Sequence, residues 1–148
     1  MTDRGFSLIE LVVVMIIAAI LAALAIPRFT DSESKATWYH EQVMAAVRYA
    51  QRQAVAQHRN IYVCVTAGTS VSVSYDPACA GTPSCPSSAS TIQIPQQLCA
   101  PSNTTLSSSI TPFSFNALGQ PSPIGGVTVT VGGRTVNVTG ETGYVFPN

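Results

Sequence analysis

From Phe6 to Ile26 the chain carries one charged residue, Glu10. As an α-helix rising about 1.5 Å per residue, this run reaches roughly 31 Å, matching a bilayer hydrocarbon core of about 30 Å, so it is predicted to span a membrane. The pattern then becomes amphipathic. Between Asp31 and His58, Ala36, Val43, Val47, Ala50 and Ala54 recur at spacings of seven, four, three and four, which places them on one helical face expected to cover a sheet. Asp31 or Ser32 is the expected N-cap, with Glu33 in the first turn. Nearly opposite the apolar face, Glu41, Arg48, Arg52 and Arg59 form one polar stripe.

At Ile61 the period changes to two. Ile61 to Val65 is a β-branched and aromatic run, Ala67 to Ser70 supplies a turn, and Val71, Val73 and Tyr75 alternate with polar residues, predicting a hairpin. A second hairpin is predicted where Val127, Val129 and Val131 meet Val136 and Val138 across Gly132 and Gly133. Phe113 and Phe115 mark another strand, Tyr144 to Phe146 an edge strand, and Thr91 to Ile94 and the surroundings of Leu98 short ones, with the rest of Pro95 to Thr111 irregular. Pro77 to Ala89 is almost entirely Pro, Ser, Gly, Ala, Thr and Cys, too poor in apolar side chains to pack without its cysteines. The fold class is therefore α+β, a long N-terminal helix with a transmembrane half and an amphipathic half, packed on antiparallel β-sheet.

The 148 residues leave room for one apolar stalk and one head of about 120 residues. Charged residues make up 9% and the net charge is zero, so any anionic partner must use a local patch. Arg48, Arg52, Arg59 and Arg134 are the candidates for contact with phosphates or with a neighbouring subunit. Trp38, Tyr39 and Tyr49 sit at no regular spacing and are expected to pack or to meet other subunits; His40 and His58 are expected at the surface. The even cysteine count, Cys64, Cys79, Cys85 and Cys99, points to a disulfide framework in an oxidising compartment, with no CxxC pair for a metal. Of three connectivities, Cys79 with Cys85 and Cys64 with Cys99 is the expected one. No nucleophile-base-acid arrangement or phosphate loop is visible, so neither catalysis nor a cofactor is expected.

A carboxylate inside a membrane helix costs about 2.5 to 3.5 kcal/mol on insertion scales and so asks for a partner. Gly5, Phe6, Ser7, Leu8, Ile9 and Glu10 closely resemble the leader and N-methylation motif of type IV pilins and pseudopilins. The resemblance implies that a prepilin peptidase cuts between Gly5 and Phe6 and methylates Phe6, and that Glu10 meets the new terminal amine of a neighbouring subunit. Ser7 stands where threonine is commoner in the family. Pro27 matches the family's helix-kinking proline, whose ring and missing N–H bend a helix.

Three further fragments, RYAQRQAVAQHR, FSFNALGQPS and VGGRTVNVTGETGYV, resemble the GspH/FimT-like group of minor pilins and pseudopilins, including minor subunits of mannose-sensitive haemagglutinin pili. The implied layout is a leader at 1–5, a membrane and filament-core helix at 6–27, an amphipathic half at 28–60, and a β-rich head at 61–148 with a cysteine-rich loop. The implied function is a minor type IV pilin, with a minor pseudopilin of type II secretion and a DNA-binding minor pilin for DNA uptake as alternatives. The implied partners are the peptidase, other pilin or pseudopilin subunits and an inner-membrane assembly platform. The implied location is the bacterial inner membrane with the head in the periplasm, then a pilus or periplasmic pseudopilus.

Overall fold

A computed structural model describes residues 7–25, 32–80, 85 and 97–148. The Gly5–Phe6 junction, the expected bend at Pro27, the N-cap Asp31 and the short strand at Thr91 to Ile94 lie outside the described residues. Helix α1 spans Leu8–Ala25 and α2 spans Ser32–Gln57. The second helix stops at His58, whose φ of 49° is left-handed. There the Arg59 N–H bonds the Ala54 carbonyl at 3.2 Å and the His58 N–H bonds that of Val55 at 3.4 Å, closing the last turn on itself.

The head is built from β1 (Ile61–Thr66), β2 (Ser70–Ser74), β3 (Gln97–Cys99), β4 (Leu106–Ser108), β5 (Phe113–Phe115), β6 (Pro121–Ser122), β7 (Val127–Val131), β8 (Arg134–Val138) and β9 (Val145–Pro147). These form two antiparallel sheets, ordered β3-β2-β1-β5-β6 and β4-β7-β8-β9. The expected hairpins are β1–β2 and β7–β8, and β9 lies at the edge of its sheet. Strand β4 arises in the stretch expected to be irregular: of its three residues only Leu106 is apolar and buried, a pattern too short to show alternation.

Helix α2 lies against both sheets. Its Val43, Val47, Ala50 and Ala54 are fully buried. They meet Ile61, Val63, Phe113 and Phe115 from the first sheet and Val129, Val136 and Val145 from the second in one core. Turn residues Gly132 and Gly133 have φ of 57° and 83°, the two positive values a tight two-residue hairpin requires. A Cβ on Gly132 would come within 2.7 Å of Ala36 Cβ, so this turn seats against the first turns of α2.

The cysteine pairing differs from the expected one. The bonds are Cys64–Cys79 and Cys85–Cys99, with Cα separations of 6.1 and 5.8 Å. Strand order supplies the reason. Cys64 on β1 faces Ser72 on β2, and Cys99 on β3 faces Ser70 on β2, so β2 lies between them. Two strand spacings of about 4.8 Å exceed the roughly 7 Å that a disulfide can bridge.

Candidate functional site

Helix α1 presents apolar side chains all round. Every residue from Ser7 to Ala22 is exposed, including Leu8 at 80% and Ile9 at 68%. A helix with no polar face requires surroundings that are themselves apolar. Its 18 residues rise about 27 Å, and the apolar run of the sequence continues past the described residues at both ends. Among the described residues, no helix is long and apolar enough to cross a membrane. Glu10 lies in the first turn, where a carboxylate complements the positive end of the helix dipole. It too is exposed.

The polar stripe of α2 does not act as a unit. Arg48 is half-buried and its Nη2 donates to the Val145 carbonyl at 3.0 Å, tying the helix to β9. Arg52 is exposed and its Nε donates within its own helix, to the Arg48 carbonyl at 3.4 Å. Arg59 lies beyond the helix end, with its guanidinium 4.2 Å from the centroid of the Tyr75 ring. Arg134 is far from these three along α2. It lines a cleft of about 260 Å³ with Glu33 and Thr37 of α2, Thr105 and Gly132. Sequence periodicity aligned the arginines but could not show that a strand carbonyl takes one of them.

His40 is also placed differently from its expected surface position: it is 2% exposed. Its Nε2 lies 3.2 Å from the Thr135 carbonyl, which can only accept, so this nitrogen carries the proton. Its Nδ1 has no hydrogen-bond partner among the described residues and lies 3.6 Å from Glu41 Oε1. Tyr39 is buried beside it and donates its hydroxyl to the Leu98 carbonyl at 3.1 Å. Burial pushes this phenol well above the usual tyrosine range, while Val71, paired with Leu98, offsets part of the shift.

On the side of α2 away from the core, Trp38, Gln42, Ala45, Tyr49, Gln53 and Ala56 follow at spacings of four, three, four, four and three. Trp38 is 50% exposed and Tyr49 37%. Gln53 Nε2 donates to the Tyr49 hydroxyl at 2.6 Å, and Gln57 Nε2 donates to Gln53 Oε1 at 2.8 Å and to the Tyr75 hydroxyl at 3.1 Å. The aromatics that seemed irregularly spaced therefore separate: Tyr39 enters the core, while Trp38 and Tyr49 share this outward ladder. The i, i+4 series Tyr49, Gln53, Gln57 was the signal in the sequence. Elsewhere, Gln51 donates to both the Gly119 and Thr142 carbonyls, at 3.1 and 3.2 Å, clasping two loops of the head. Among the described residues no group of three His, Cys, Asp or Glu is placed to hold a metal ion.

Comparison with known proteins adds to this geometry. A family profile described as the type II transport protein GspH matches residues 40–143, and one described as the prokaryotic N-terminal methylation motif matches residues 1–26. The chain is 42% identical over 65 residues to the type IV narrow pilus major component PilA5 of Thermus thermophilus, a match covering 43% of this chain. The chain spans only 56% of that relative's length. Among solved structures it is similar to the type IV minor pilin FimU of Pseudomonas aeruginosa, with a TM-score of 0.60 and 18% identity over 78% of this chain and 89% of that one. It is also similar to the minor pseudopilin EpsH from the type 2 secretion system of Vibrio cholerae, with a TM-score of 0.55 and 9% identity over 77% and 96% of the two chains. At these identities the structural likeness is one of fold.

Proposed function

The chain belongs to the family of the type II transport protein GspH, and from that premise we propose that it is a minor type IV pilin, a structural and priming subunit of a surface filament. The observation that carries this reading is the N-terminal methylation motif placed on an apolar helix ahead of a helix-on-sheets head. The motif implies processing by a prepilin peptidase and assembly with other pilin subunits, and the family implies a membrane-anchored stage followed by a filament.

In the proposed sequence of events, cleavage between Gly5 and Phe6 leaves Glu10 four residues beyond a new positive amine. Two charges that are each unfavourable among apolar helices are tolerated as a pair, which favours one register over others. An inner-membrane platform then moves the helix from the bilayer into the filament. Nothing in this role requires chemistry by the head, whose task is to present a surface. The expected consequence of Glu10→Ala is normal leader removal with impaired incorporation; full incorporation of that variant would remove the role assigned to Glu10.

A second reading, a minor pseudopilin of type II secretion, is supported by the description of the matching family. Peptide mass spectrometry on sheared surface filaments and on inner membranes of the same cells separates the two. A peptide beginning at N-methylated Phe6 in the sheared fraction, beside a major pilin, supports the pilus subunit. The same peptide confined to membranes supports the pseudopilin, and Met1 retained in both fractions would overturn processing altogether.

A further inference from the structure

The outward face of α2 carries chemistry that assembly through α1 does not use. Trp38, Tyr49 and Tyr75 lie along it, 50%, 37% and 50% exposed, with both phenol oxygens tied to the glutamine ladder. From Trp38 to Gln57 the line is about 29 Å long. Lys35 and Arg52, both exposed, border it, and Arg59 closes its far end over Tyr75. Two acidic residues lie near. Glu41 shares the border with Arg52 and approaches His40, and the Asp76 carboxylate accepts the backbone N–H groups of Ala78 and Ala80 at 3.0 and 3.1 Å. The surface is thus a convex line of ring-bearing side chains with polar tips, flanked by more cations than anions.

We propose that, while α1 holds the chain in a bilayer, this face of α2 rests on an anionic lipid surface. The inference depends on the membrane-anchored stage of the filament-subunit reading and adds a second, reversible membrane contact to it. Tryptophan and tyrosine favour the headgroup level because each has an apolar body and a polar tip. Lysine and arginine beside them let their stems lie along the surface while their charges meet lipid phosphates. A flat partner suits the convex side of a single helix, and a negative one suits Lys35, Arg52 and Arg59. Continuity of the chain supplies the proximity: only residues 26–31 separate α2 from the helix assigned to the bilayer. Docking holds the head beside its anchor, and departure into a filament requires its release.

Trp38 is the single tryptophan of the chain, so the full-length protein reports on this face without a label. The test reconstitutes the protein into vesicles of phosphatidylcholine alone, or with phosphatidylglycerol, each with and without brominated acyl chains. In the anionic vesicles Trp38 emission is expected to move to the blue and to be quenched by the brominated lipid, both effects fading at high salt. Arg52→Gln and Arg59→Gln are each expected to lower the docked-to-free ratio about fivefold. Unquenched, water-like emission from protein that floats with anionic vesicles overturns the docking and leaves the anchor reading intact. A blue shift that follows protein density instead of lipid charge also overturns it, in favour of contact between copies. Failure of the protein to float at all removes the anchor reading and the docking together.

Discussion

The sheet β3-β2-β1-β5-β6 carries both cystines, whereas the sheet β4-β7-β8-β9 carries none, although each has an interior strand with the same alternating pattern. Strand β2 is SVSVS and β7 is VTVTV. In the second sheet Val127, Val129 and Val131 face the core while Thr128 and Thr130 remain half-buried outside. In the first, the outward residues are buried as well: Ser70, Ser72, Ser114 and Cys64 are between 4% and 8% exposed. Burying hydroxyls contributes little apolar area, so this side lacks the hydrophobic gain that holds the valine ladder. Cross-links take its place. Each closes a separation of 15 or 14 residues, worth about 3 kcal/mol through restriction of the unfolded chain.

The largest test strikes what the two sheets share. Phe115 is fully buried and meets Phe113 edge to face, with ring centroids 5.9 Å apart. Phe115→Ala is expected to cost about 3 to 5 kcal/mol in urea unfolding and to loosen both sheets together. Loss of protection in one sheet alone would mean that they do not share a core. Removing Cys85–Cys99 with paired serine substitutions is expected to cost about 3 kcal/mol. It should raise amide exchange in β1, β2 and β3 while β7 and β8 stay protected; equal loss in both sheets would erase the contrast.

A smaller effect is expected where α2 meets β3. Tyr39→Phe forfeits the bond to the Leu98 carbonyl, about 0.5 to 1.5 kcal/mol. Its pH dependence has a definite sign. Burial raises the Tyr39 phenol above its unfolded value near 10, so its proton is kept on folding and given up first by the unfolded chain. Stability from this group is therefore intact below about pH 10 and falls above it. Melting curves should show that alkaline slope reduced in Tyr39→Phe. The smallest effect belongs to the open side of the valine sheet, where Thr130→Ala should stay within about 0.5 kcal/mol by urea titration.

The sequence pattern identified the buried stripe of α2, because Val43, Val47, Ala50 and Ala54 repeat at helical spacing and nothing polar interrupts them. Both hairpins were equally legible, since each pairs strands adjacent in the chain. Strand order across the sheet was not legible. That ordering decides the cystines, which is why Cys64 could not be matched to Cys79 by loop length. Arg48 and His40 escaped for a related reason: their partners, the Val145 and Thr135 carbonyls, are backbone groups almost a hundred residues away and leave no mark on side-chain pattern. At the candidate assembly site, the methylation motif was read from residues alone, while of the outward ladder only the rung from Gln57 to Tyr75, which joins a helix to a strand end, left no mark on helical spacing.

The two cystines also bear on mechanics. They are consecutive along the chain, each bridging a return of β1 or β3 to the segment between them. Pulled from its ends, a head without them could surrender the whole of that segment as extended chain. With them, the separations of 15 and 14 residues lock away on the order of 100 Å of contour length. A pull on the head could then draw out that length only if the disulfides were first reduced.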